Sequence, residues 1–406
     1  MVESREGDLH MNIIDYVHDY GNVSFEDSPF NDVDNAVLCS LIYISFEKFL
    51  DPESFRPMTL GELLSIYLSN VKKDELLKDT EWHKNQFFLA LAMFNSKRYS
   101  DIYIYSYGYH ISNEMEAQFT AFAFSITDDT DGICYRGTDT SFAGLKEDFN
   151  MFFMDETGGE HLAYHFLKQN ILARPDKNFI VMGHSKGGIH AVYAASKLSE
   201  EEASKILRIY SCDGPGNHSP VYEYSEGYQR IKSRIIHIIP YDSFIGILFG
   251  HFPIAYVVQN EKTHNFTDSH DTFYWQIEGK EFVKVEDRSP FSYYIQESFD
   301  EICSMLDNDE RTEFIEVAFD TMIELGYDDP IVIQQDMSKF WKTFLFALSK
   351  KNKNSPIMHQ TLRIIANAFK NHNADYLRRL KEEKQKQKSS AKQPQKTNEL
   401  IKKTVG

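Results

Sequence analysis

The spacing of hydrophobic positions changes along this chain. From about residue 8 to 95 apolar residues recur three and four apart, over Asp34 to Phe49, Leu60 to Leu68 and Glu81 to Phe94, which predicts amphipathic helices. At Gln118 the pattern becomes strand-like. Gln118-Phe-Thr-Ala-Phe-Ala-Phe-Ser-Ile and Gly132-Ile-Cys-Tyr flank the turn-rich Asp128-Asp-Thr-Asp-Gly, the signature of a β-hairpin. Helical and strand-like stretches then alternate. Gly144 to Phe153, Gly159 to Leu172 and Gly187 to Leu198 read as helices, while Asn178 to Met182, Leu207 to Cys212 and Arg234 to Ile239 read as buried strands. Weaker strands are expected at Ile254 to Val258 and Phe273 to Ile277, and helices return beyond about residue 288, broken at Asp328-Asp-Pro330. Such alternation predicts an α/β fold: a mostly parallel sheet flanked by helices, with helical extensions at both ends.

Composition bounds this picture. The chain has 406 residues, 42% hydrophobic and 26% charged, enough apolar side chain for a large core. The expected organisation is a helical region over 1–110, an α/β core over 111–288, a helical region over 289–377 and a disordered basic tail over 378–406. Net charge is −18, yet the tail carries ten Lys/Arg against three Glu, which leaves −25 on residues 1–377. An acidic body repels phosphodiester backbones, so no nucleic-acid partner is expected for the core; the tail offers at most a weak contact with a membrane surface. The longest apolar run, Phe87 to Phe94, is too short to span a bilayer, and the acidic start lacks a signal-peptide pattern. A cytoplasmic location is expected. The four cysteines are scattered, so neither a metal nor any other cofactor is implied.

The sharpest local signal is Phe179-Ile-Val-Met-Gly-His-Ser-Lys-Gly-Gly-Ile-His-Ala, where Gly183-x-Ser185-x-Gly187 lies between an apolar strand and an Ala-rich helix. That context is the one a nucleophile elbow requires. Small residues two before and two after Ser185 allow the tight turn, and the Lys186 backbone N–H would then face an oxyanion. A serine nucleophile needs a histidine base and an orienting carboxylate, in the order Ser, Asp, His for this fold. Two aspartates end downstream strands, Asp213 and Asp242; the usual position of the acid selects Asp242, with Asp213 in reserve as a turn residue of Gly-Pro-Gly. Of the histidines that follow, His251 sits in an apolar stretch and His264 in a polar loop, whereas His270 precedes a strand-like segment where the base belongs. His184 and His190 lie too close to Ser185 to serve.

A second oxyanion donor should come from the end of an earlier strand, and Tyr135-Arg-Gly-Thr138 occupies that place. These residues resemble the [FY]-R-G-[ST] motif of class 3 lipases, which implies that Thr138 is the second donor. More broadly, Asp34-Asn-Ala-Val-Leu, Lys146-Glu-Asp-Phe-Asn-Met, Gly183-His-Ser-Lys-Gly-Gly, Asp213-Gly-Pro-Gly, Ile239-Pro-Tyr-Asp-Ser-Phe-Ile-Gly and His270-Asp-Thr-Phe-Tyr-Trp resemble the Mbeg1-like family of lipase-like α/β hydrolases, over roughly residues 30 to 350. The resemblance implies lipase-type hydrolysis. The expectation is a serine hydrolase that cleaves a carboxylic ester of a lipid or lysophospholipid, with Ser185, Asp242 and His270 as triad and Thr138 and Lys186 as oxyanion hole. The rival reading is a non-catalytic binding or scaffold protein on the same fold. The segment Phe244-Ile-Gly-Ile-Leu-Phe-Gly between Asp242 and His270 suits either a mobile acyl-contacting wall or a core element.

Overall fold

The computed structural model describes residues 10–404 apart from 77, 140, 220–221, 251, 262–265, 328–341, 345 and 349–355; His251, His264 and the Asp328 to Pro330 break lie outside the described residues. Its centre is a nine-stranded sheet whose strands follow one another in chain order: β1 (Met58–Thr59), β2 (Tyr103–Ser112), β3 (Ala117–Ser125), β4 (Thr130–Tyr135), β5 (Asn178–His184), β6 (Ile206–Cys212), β7 (Ile235–Pro240), β8 (Ile254–Val258) and β9 (Lys284–Val285). Neighbours from β1 to β4 run antiparallel, those from β4 to β8 parallel, and β9 returns antiparallel to β8. This is the expected α/β-hydrolase arrangement.

Burial explains why the central strands read as continuous apolar runs. In β5, Ile180 and Met182 face one layer while Phe179 and Val181 face the other, and all four are buried. The first layer consists of the N-terminal helices α1 (Ile13–Tyr20), α2 (Asp32–Leu41), α3 (Leu60–Asn70) and α4 (Glu81–Phe94). Their apolar faces share one core with Phe122, Cys134, Met182, Cys212 and Ile238 of the sheet. Within this layer Asp34 is fully buried and accepts from Arg98 Nε at 2.8 Å and from the Tyr99 hydroxyl at 2.6 Å, so its charge is neutralised where it is desolvated. The opposite layer holds α5 (Phe142–Asn150), α6 (Gly158–Ala173) and α7 (Lys186–Ser196), of which α6 and α7 share the second core.

Beyond the sheet, α8 (Pro290–Met305), α9 (Asn308–Glu324) and α10 (Pro356–Thr404) form separate apolar clusters that reach Phe142, Leu145, Phe152 and Phe249. Arg379 pairs with Glu297 at 2.5 Å, and the Tyr241 hydroxyl donates to Glu383 at 3.0 Å. Three expectations change. Residues 103–110, placed in a helical region, belong to strand β2, whose Tyr at every second position suits a half-buried strand beside β3. Phe273 to Ile277 is not one strand: Thr272–Tyr274 makes a 3-10 turn, and Ile277–Glu278 pairs with Glu281–Phe282, with Ile277 also bridging to Met11. The basic stretch expected to be disordered from residue 378 continues α10 as far as Thr404. Its Lys, Glu, Gln and Ala are good helix formers, and pairs such as Arg378 with Glu382 at 3.0 Å support the helix locally.

Candidate active site

Ser185 ends β5 and begins α7 with φ 56° and ψ −132°, a backbone conformation costly for any residue bearing a Cβ. Its neighbours permit the turn. A Cβ on Gly183 would lie 2.0 Å from the Gly187 carbonyl oxygen, and one on Gly187 would lie 2.3 Å from that of Tyr135. The Ser185 N–H donates to the Cys212 carbonyl at 3.0 Å, which pins the elbow to the end of β6. The serine is partly exposed and stands at the N-terminus of α7, where unpaired N–H groups favour negative charge.

His270 closes the short 3-10 turn Phe266–His270. Two hydrogen bonds hold that turn: Trp275 Nε1 donates to the Ser269 carbonyl at 2.9 Å, and the Ser269 hydroxyl donates to the Asp242 carbonyl at 3.0 Å. The His270 imidazole packs on His184, the residue before the nucleophile, with ring centroids 4.4 Å apart, and lies 5.8 Å from the Phe244 ring.

The carboxylate set against His270 is Asp213, not Asp242. Asp213 Oδ2 lies 2.6 Å from His270 Nδ1, and its Oδ1 accepts from the Ser243 hydroxyl at 2.5 Å and the Gly246 N–H at 3.0 Å. The reason is the sheet order. Asp213 follows β6, the immediate neighbour of β5, and its left-handed backbone, φ 44°, accompanies a fully buried side chain. Asp242 follows β7, one strand further out, where its backbone N–H donates to Asn260 Oδ1 at 3.1 Å and its Oδ2 accepts from Asn260 Nδ2 at 3.3 Å. Asp242 thus anchors the histidine turn through its carbonyl.

The expected oxyanion residues flank the elbow. Thr138 follows β4, and its hydroxyl donates to Asp148 at 2.7 and 2.8 Å to the two carboxylate oxygens. Enclosure pushes the Asp148 carboxyl up to about 6, against the lowering pull of Lys186 and Thr138. The Lys186 side chain is 1% exposed and bonds to the buried Glu147 at 2.8 Å. Glu147 also accepts from the backbone N–H groups of Gln118 and Gly159 and from the Thr157 hydroxyl. Burial alone would raise its carboxyl; the Lys186 and His190 sides and these donors carry it below the usual range.

Residue-by-residue reading missed Tyr43 and the structural part of His184. The Tyr43 hydroxyl lies 2.9 Å from His184 Nδ1, and His184 Nε2 lies 2.7 Å from the His270 carbonyl oxygen. Burial, with His270 beside it, pushes the His184 imidazole down to about 3, so it is neutral; a neutral ring that donates from Nε2 accepts at Nδ1. The parity of β5 carried a signal for this contact, since His184 shares its face with Ile180 and Met182, toward the N-terminal layer. Glu147 and Asp148 were visible only as part of a motif.

No curated protein matches the chain. Among solved structures it is similar to a fungal lipase at 10% identity, over 57% of this chain and 78% of that one, with a TM-score of 0.34. It is similar also to lipase II from Rhizopus niveus at 18%, over 33% and 57%, with a TM-score of 0.25. A fungal lipase solved with an inhibitor aligns at 17%, over 44% and 70%, with a TM-score of 0.29. The sequence model of the Mbeg1-like family matches residues 93–320, more than half of the chain and the span from the end of α4 through the elbow, Asp213 and His270 into α9, and the chain belongs to that family.

Proposed function

We propose that this protein is a serine ester hydrolase of the lipase type. Ser185 Oγ attacks the acyl carbonyl, and His270 accepts its proton at Nε2, the ring nitrogen that Asp213 does not engage. Asp213 holds the imidazolium that forms. The backbone N–H groups of Thr138 and Lys186 bind the oxyanion at the head of α7, while the Thr138 hydroxyl stays on Asp148. Loss of the alcohol, protonated by His270, leaves an acyl-enzyme that water hydrolyses by the same route.

The observation that carries the reading is the strained Ser185 elbow with the His270–Asp213 pair packed on His184, the residue before the serine. A lipid or lysophospholipid ester fits the aromatic surroundings, since Phe244 lies on His270, Tyr43 lies on His184, which touches it, and Trp82 packs on Tyr43. A cytoplasmic location fits the thiols: all four cysteines are free, and the Cys134 thiol donates to Cys39 Sγ at 3.9 Å. The test is labelling of the folded protein by a fluorophosphonate probe. Labelling should be lost in Ser185→Ala; if wild type does not label, or the variant labels equally, the hydrolase reading fails and the non-catalytic scaffold takes its place.

A further inference from the structure

The longest apolar run of the sequence lies within α4 and is apolar around the whole helix. Leu89, Ala90 and Met93 are buried against the N-terminal layer, yet Phe88 is 50% exposed, Leu91 38% and Phe94 40%. Steps of three residues place these side chains along one outward stripe. A surface helix normally turns a polar face to water, and a clustered apolar face marks an interaction site. Ile66, also exposed, lies on α3, packed beside α4.

Two observations say what covers this stripe. The first is position. The opening turn of α4 reaches the candidate site: Trp82 meets Tyr43 edge to face at 5.4 Å and Phe273 at 5.8 Å, and Tyr43 bonds to His184. Along the helix axis the stripe starts about 9 Å beyond Trp82 and ends about 18 Å beyond it. The second is charge. Residues 60–98 carry six Lys/Arg against five Asp/Glu, and with Arg98 buried on Asp34 the remaining charges balance, within a body, residues 1–377, of net charge −25. A phospholipid headgroup layer is therefore not repelled from this face as it is from the rest of the body.

We propose that the outer face of α4 is a lipid-docking surface on which Phe88, Leu91 and Phe94 enter the headgroup–acyl boundary of a phospholipid bilayer. Docking there sets the Trp82 end of the helix, and with it Ser185 and His270, beside the bilayer that supplies the ester. The use of the surface rests on the hydrolase reading; its existence does not.

The experiment is flotation of the full-length protein with vesicles of phosphatidylcholine containing a minority of phosphatidylserine, alongside fluorophosphonate labelling of the same samples. Wild type should float with the vesicles and remain bound at about 0.5 M salt, where exposed charges are screened. The F88S/L91S/F94S variant should bind at least about tenfold more weakly, because three apolar side chains no longer leave water, and should label as wild type does. Phe88→Ser alone should lose a smaller part, which keeps the test readable if the triple variant folds poorly. Wild type that stays unbound, variants that float equally, or binding that vanishes at high salt and so belongs to the basic end of α10, would each overturn the proposal. So would a lipid-free self-association that the triple variant abolishes, since the stripe would then join two copies. Flotation without labelling would sink the hydrolase reading and leave the docking surface standing.

Discussion

Two buried carboxylates stand on either side of Ser185, and their surroundings are alike up to the last partner. Asp213 accepts from one hydroxyl and one backbone N–H, Glu147 from one hydroxyl and two backbone N–H groups, and both are fully buried. The last partner differs. Asp213 ends on His270, whose side chain is 20% exposed, while Glu147 ends on the Lys186 ammonium, 1% exposed. An imidazole can pass a proton between its two nitrogens and the outside; an enclosed ammonium paired to an enclosed carboxylate is a fixed charge. On the proposed hydrolase reading, the Asp213 side serves the chemistry. The Glu147 side is built as framework, tying α5, α6 and α7 behind Thr138.

Breaking each side should give different losses. Asp213→Asn is expected to lower turnover of a soluble ester by about 10⁴-fold, the effect of losing the carboxylate that fixes the base's tautomer, while the unfolding midpoint moves little. Steady-state kinetics with parallel thermal unfolding checks both; a turnover loss below tenfold would remove Asp213 from the triad. Glu147→Gln should do the reverse in kind. It leaves Lys186 with Asp148 at 3.9 Å as its nearest remaining charge partner, and should cost about 3–5 kcal/mol of stability in urea unfolding. Adding Lys186→Met should restore most of that loss, because the ammonium is then gone as well. If Glu147→Gln is as stable as wild type, the framework role is wrong.

Between these two sides sits neutral His184. Its imidazole is depressed from an ordinary 6.5 to about 3, so between those values the unfolded chain binds a proton that the folded one does not. Stability from this group is therefore full above pH 6.5 and falls as pH drops toward 3, by about 1.4 kcal/mol per pH unit. His184→Gln should flatten that acid limb in unfolding experiments run from pH 7 to 4; an unchanged slope would assign it to other groups. The smallest effect is expected at Asp242→Asn. Among the described residues its side chain accepts only a long bond from Asn260 Nδ2, and the bond to Ser269 comes from its backbone, so turnover should stay within about two- to threefold of wild type.

Much of the fold is legible in local sequence pattern. The hairpin, the strands at Asn178, Leu207, Arg234 and Ile254, the helices between them and the elbow serine all follow from it, because alternation, apolar runs and glycine spacing act over a few neighbours. Strand β2 escapes such a reading for the opposite reason. Its Tyr-rich alternation is half exposed and becomes a strand through pairing with β3, a partner that the local window does not contain. The end of the chain misleads in another way. Low apolar content argues against a packed core, but a helix draws its hydrogen bonds from within, so poor burial does not exclude one.

The candidate site divides along the same line. Sequence suffices for the elbow, since Gly183 and Gly187 alone permit the close approach around Ser185, and it singles out His270 and Thr138 by motif and strand position. Three other features exist only once the chain is packed: Asp213 rather than Asp242 meets His270, Lys186 is held by Glu147, and Tyr43 reaches His184 across 141 residues of chain. Each is a contact between elements whose adjacency is set by the order of strands in the sheet and by the layer stacked on it. A hydrogen bond about 3 Å long depends on that placement, not on distance along the sequence.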